Sequence, residues 1–94
     1  MSAFRRMPSN DTMAHAAVMS LADPDDFKPI MMDYWYPSLE QKVRVCQADG
    51  GAKVLAMSAN DHTSPIIKGN KIGGDMIIQT ENSIYVVDAS VYTR

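Results

Sequence analysis

The 94-residue chain lacks most of the features by which small proteins announce a class. Its single cysteine, Cys46, cannot form an internal disulfide, whereas a secreted domain of this size usually carries several bridges. A reducing, cytoplasmic setting is the expectation. No uninterrupted apolar run approaches the roughly 18 residues that a membrane helix needs. Arg5 and Arg6 ahead of an apolar-leaning stretch imitate a signal peptide, but Pro8, Asn10, Asp11 and His15 interrupt it. The expectation is therefore a soluble, uncleaved chain with no membrane partner. An excess of one charge is also missing. Nine Lys and Arg against eleven Asp and Glu leave a net charge of −2, without the basic surplus of a typical nucleic-acid binder. There is no internal repeat and no low-complexity tract.

What is present is apolar material. The chain is 46% hydrophobic and only 21% charged, a composition that folds rather than stays disordered. At this length it supplies one core, so residues 1–94 form a single domain. Eight methionines are the compositional oddity. Methionine fills irregular cores or lines adaptable surfaces; only Met31 and Met32, beside an aromatic cluster, invite the second reading.

Composition shifts near residue 39. Residues 1–38 hold four of the five prolines, with three basic and five acidic side chains. Residues 39–94 carry six of each sign. The pattern predicts an N-terminal appendage of helix and aromatic, acidic loop, followed by a β body. In the appendage, Ser9, Asn10 and Asp11 offer caps for a helix over about 11–22. Its Met13, Ala14, Ala17, Val18 and Leu21 recur at helical spacing and form the side expected to lie on the body. Pro24 ends it, and the proline- and aspartate-rich stretch Asp23 to Pro37 reads as an extended loop.

In the body, QKVRVCQA and GAKVLAMS flank Asp49-Gly50, a strong hairpin signal. A two-residue loop pairs Val45 with Val54 and Val43 with Ala56 on a core face, leaving Lys42, Arg44 and Lys53 on a wet face. In a second hairpin, DMIIQT and SIYVVD around Glu81-Asn82, Ile78 faces Tyr85 and Met76 faces Val87. Ile77, Ile84 and Val86 occupy the reverse side, so both faces are apolar and this hairpin lies deeper. SPIIKG is a candidate short strand and GNKIGG a loop. The expected fold is α+β, mainly antiparallel: a short N-terminal helix with a five-stranded curled sheet or small SH3-like barrel.

No motif names a reaction. Asp61, His62, Thr63 and Ser64 place an acid, an imidazole and two hydroxyls in a row, but consecutive loop residues rarely converge in space, and turn chemistry explains them. Nothing in the pattern brings a histidine to Cys46. The acidic run Asp23, Asp25, Asp26 lacks calcium-loop spacing, and two histidines with one cysteine cannot complete a zinc site. KGNKIGG lacks the terminal Lys-Ser/Thr of a phosphate-binding loop. Neither a cofactor nor a metal is expected.

Tyr34, Trp35 and Tyr36 carry the most weight. Aromatic side chains dominate interface hot spots, and three in succession cannot all enter one small core. Together with Met31, Met32, Asp25, Asp26 and Asp33 they form a candidate patch for a protein partner with a basic surface. The favoured function is a non-catalytic interaction module, a small regulator, inhibitor or accessory subunit. An exposed strand such as SPIIKG offers an edge for a partner strand or a second copy, giving a homodimer. The alternative is a small-barrel nucleic-acid binder using Lys42, Arg44, Lys53, Lys68 and Lys71. A third reading places a small-ligand site around His62 and Ser64.

Overall fold

In the computed structural model, which describes residues 6–58 and 60–93, the chain runs through α1 (Asn10–Leu21), β1 (Ile30–Met31), α2 (Trp35–Leu39), β2 (Arg44–Gln47), β3 (Lys53–Ser58), β4 (Asp61–His62), β5 (Ile66–Ile72), β6 (Asp75–Thr80) and β7 (Ile84–Asp88). Short 3-10 turns follow β2, at Asp49–Gly51, and β7, at Ala89–Thr93. One sheet has the order β1-β7-β6-β5, with β1 parallel to β7 and the other pairs antiparallel. A second, wholly antiparallel sheet has the order β2-β3-β4. Arg5 lies outside the described residues.

The β6–β7 hairpin forms the centre, as its two apolar faces require. Met76 pairs with Val87 and Ile78 with Tyr85, and the Thr80 N–H closes the Glu81-Asn82 turn onto the Ser83 carbonyl. Met76, Ile78 and Val87 look toward the three-stranded sheet, where they meet Tyr34, Val43, Leu55 and Val91. On the other side Ile77, Ile84 and Val86 pack against Ala16 of α1 and against Trp35. The result is three layers: helix, four-stranded sheet, three-stranded sheet. Burying both faces of the central strands is what a 94-residue chain needs to gather enough apolar area.

Three sequence expectations are corrected. First, no closed barrel forms among the described residues, because the strands divide between two sheets. Gly69 to Ile72, read as loop, instead extends β5 to seven residues, and Gly73-Gly74 alone makes the turn into β6, with Gly73 at φ 60°. Second, the first hairpin turns through three residues rather than two. Gly50 and Gly51 both take positive φ, 84° and 89°, and the Ala48 N–H reaches the Ala52 carbonyl at 2.7 Å. The register therefore slips by one: Val45 pairs with Leu55, Cys46 with Val54 and Arg44 with Ala56. A one-residue slip exchanges the faces of a strand, so Leu55 enters the core while Val54 and Ala56 turn outward.

Third, α1 lies on the sheet by a different face. Ser9 caps it, accepting from the Thr12 N–H at 3.1 Å. Thr12, Ala16 and Ser20 are buried, and of the expected side Met13 packs half-buried against the core, whereas Ala14 and Ala17 are exposed and Val18 and Leu21 remain 69% and 66% exposed. Hydrogen bonding overrides apolar patterning here. The Asp75 carboxylate, 2% exposed, accepts from the Thr12 hydroxyl at 2.6 Å, the Ser9 N–H at 2.9 Å and Arg6 Nη1 at 2.7 Å. At the other end, the Ser20 hydroxyl donates to the Lys28 carbonyl. Small side chains along this inner stripe let the helix approach closely enough to make these bonds. Residues 6–39 are thus built into the fold rather than appended to it: Asp75 fixes α1, and β1 completes the sheet edge.

Candidate functional site

The aromatic run divides around the sheet. Tyr34 points into the core between the two sheets, edge-on to Tyr85 with ring centroids 5.2 Å apart. Trp35 points into the core beneath α1, its indole N–H donating to the Arg6 carbonyl at 3.0 Å and the Arg6 guanidinium stacked 4.8 Å from the ring centre. At 3% and 1% exposed, neither presents a surface to a partner, which corrects the expectation of an aromatic docking patch. Consecutive residues that enter α2 point to different sides, so one run can anchor two cores. Tyr36 is the exposed member, at 39%, and its hydroxyl donates to Met7 Sδ. Met31 and Met32 are half-buried, and Met32 packs beneath α1. Asp25, Asp26 and Asp33 are exposed, with Asp26 3.5 Å from Lys28 Nζ.

Lys28, absent from the sequence expectations, is a buried lysine whose ammonium donates to the carbonyls of Thr80 and Glu81 at 3.2 and 2.6 Å. It ties the loop after α1 to the β6–β7 turn. Arg6 is likewise structural. It bridges Asp75 and Asp88, and its pKa is raised because these carboxylates outweigh the effect of partial burial. Burial would raise the Asp75 pKa, but the bonds from Thr12, Ser9 and Arg6 overcome it and hold the carboxyl below its ordinary value. Asp88 is lowered in the same way, with Ser90 and Arg6 as donors against burial. Burial and the neighbouring Asp61, which accepts its hydroxyl at 3.2 Å, push the Tyr34 pKa up.

The five candidate nucleic-acid contacts do not gather. The register places Lys53 opposite Gln47, on the side of the hairpin facing away from Arg44. Lys42 and Arg44 line the outer face of the three-stranded sheet. Lys68 and Lys71 stand on β5, opposite Gln79 and Met76 and so on alternate faces of the other sheet. The hydroxyls near His62 are engaged in turn bonds: Thr63 donates to the Ser64 carbonyl and accepts from the Leu55 N–H. Among the described residues, no three His, Cys, Asp or Glu side chains meet as a metal site would require.

Two surfaces remain. The first is an open groove of about 770 Å³ over the outer face of β2, β3 and β4, lined by Lys42, Arg44, Cys46, Val54, Ala56 and His62 among others. Arg44, Ala56 and His62 stand abreast across the three strands, with Cys46 and Val54 in the next row. Cys46 and His62 share this groove without a hydrogen bond between them. Sequence reading missed it because Asp61-His62 pairs as β4 instead of forming a free turn, and because the register slip turns Val54 and Ala56 to the outer face, where they floor the groove at 4% and 8% exposed. The second surface is the outer edge of β5, a seven-residue strand paired on one side only.

No protein-family model matches the chain, and neither does any curated protein or solved structure. No helix of the described residues is long and apolar enough to cross a membrane.

Proposed function

We propose that this protein is a non-catalytic interaction module that takes an acidic, extended segment of a protein partner onto the edge of β5. The observation that carries the reading is the edge itself. From Ile66 to Ile72 the strand ends its sheet, and Ile67, the extra residue of a bulge opposite Thr80 and Gln79, is 54% exposed. An edge strand offers a row of main-chain donors and acceptors that an incoming strand can pair with. Lys68 and Lys71 have no acidic partner among the described residues, so the charge of this edge is uncompensated. Lysines on an edge repel a like strand. A second copy would bring four lysines into one ribbon, which favours a monomer over the homodimer, whereas an acidic strand neutralises them.

Two peptides of eight residues, one alternating Glu with Val and one alternating Lys with Val, test this with the isotope-labelled full chain. The acidic peptide is expected to shift the amide resonances of Ile66–Ile72 saturably, and the double change K68E/K71E to abolish that binding. Shifts absent from β5, or equal binding of both peptides, would overturn the proposal.

A further inference from the structure

The groove over β2, β3 and β4 has a chemistry independent of the β5 edge. We infer that it binds a small amphipathic carboxylate, with the acid group held by Arg44 over Ala56 and the apolar body lying along Val54 and Cys46. Three observations support this. The first is the cross-strand row Arg44, Ala56, His62. Neighbouring strands lie about 4.8 Å apart, so a long guanidinium arm and an imidazole flank a central position whose side chain is a single methyl. That leaves a notch between two nitrogen-bearing groups. The second is the state of those groups. Arg44 is exposed, and its guanidinium has no ion pair or hydrogen bond among the described residues. His62 donates Nδ1–H to the Thr63 carbonyl at 3.1 Å, which fixes the ring and leaves Nε2 directed elsewhere. The third is the floor. Val54 and Ala56, 4% and 8% exposed, close the bottom of the groove with apolar side chains, and Cys46, abreast of Val54, adds a half-buried thiol.

The lining is charged mainly with one sign. Lys42, 3.6 Å from Glu40, and Arg44 are cationic, and Asp49, in the hairpin turn, is the acid of the lining. A guanidinium with its donors unengaged fits the planar carboxylate in a two-point arrangement that a lysine cannot reproduce. The volume lies within the range of small-molecule sites, which are mostly apolar with a few placed polar groups. An anion without an apolar body would make no use of the row of Cys46 and Val54, and a neutral molecule would leave Arg44 unanswered. The combination selects a molecule with both parts.

Decanoate, decanol and acetate separate these contributions. Titrated into the isotope-labelled full chain below the detergent concentration of decanoate, decanoate is expected to shift the amides of Arg44, Cys46, Val54, Ala56 and His62 saturably. Decanol and acetate should each bind at least tenfold more weakly. R44Q, an exposed change, should weaken decanoate by about 10- to 100-fold, the loss of a charge-assisted bond, while the rest of the spectrum stays folded. A56F should fill the notch and abolish binding. Because Cys46 is the sole thiol of the chain and lines the groove, its alkylation by iodoacetamide provides a second readout, which saturating decanoate should slow in wild type but not in R44Q. The inference is overturned by the absence of saturable shifts in the groove, by decanol binding as tightly as decanoate, or by wild-type affinity in folded R44Q.

Discussion

Replacing Asp75 by Asn tests the link that overrides apolar patterning in α1. The carboxylate accepts three hydrogen bonds, from Arg6 on one oxygen and from Ser9 and Thr12 on the other, at a site 2% exposed. An amide has one acceptor oxygen. Turned one way, it sets two donors against each other at Arg6; turned the other way, it leaves the Ser9 N–H without its acceptor. Bonds to a charged group contribute about 1.5–3 kcal/mol each, and breaking a buried charged network from one side costs about 3–5 kcal/mol. A domain of this length holds a margin of only about 5–14 kcal/mol. D75N should therefore lose roughly a fifth or more of its stability, a fall in melting temperature on the order of 15–30 °C. The measurement is urea and thermal denaturation at pH 7 followed by circular dichroism, with the exposed Asp33→Asn as a control within about 0.5 kcal/mol. Acid titration provides a second arm. Because the folded Asp75 pKa lies below its unfolded value, its stabilisation is fully present above about pH 4 and is lost as pH falls through the folded value. The gap between wild type and D75N should therefore narrow below pH 4. A loss under about 1 kcal/mol at pH 7, or parallel acid branches, would refute the role given to Asp75.

Trp35→Ala should destabilise the fold by about 3–5 kcal/mol, since the ring fills the core beneath α1; denaturation midpoints check this, and a fully stable variant would return Trp35 to the surface. The hairpin register predicts an asymmetry between neighbours. Leu55→Ala should cost about 2–5 kcal/mol and Val54→Ala clearly less, because Leu55 packs between the sheets while Val54 floors the groove; equal losses would favour the two-residue turn. Affinity for the acidic peptide should fall steeply between 50 and 200 mM salt, as expected for attraction between exposed charges. Flat affinity would remove Lys68 and Lys71 from the interaction.

The deep hairpin was legible because both faces of β6 and β7 are apolar, so pairing and burial demanded the same register. The first hairpin was not, because Asp49-Gly50-Gly51 supports a two- or a three-residue turn and local chemistry does not choose between them. The core does, by admitting Leu55. For α1, position and cap were readable from Ser9 and the alanine-rich run, yet the buried face was not: what decides it is Asp75, 63 residues away from Thr12 in sequence. The same distance effect hid the groove, since Arg44, Ala56 and His62 meet only once β4 pairs with β3. The aromatic run was correctly read as too large for one core, and the fold resolves it with two.

Amide hydrogen exchange on β5 tests most directly whether the edge pairs with an acidic strand. In the free chain, the amides of Ile66–Ile72 that point away from β6 should exchange rapidly, and saturating Glu-Val peptide should slow them by at least tenfold while leaving the β2–β3–β4 sheet unchanged. If the peptide binds and those amides continue to exchange at the free rate, the partner does not add a strand and the proposed function is wrong.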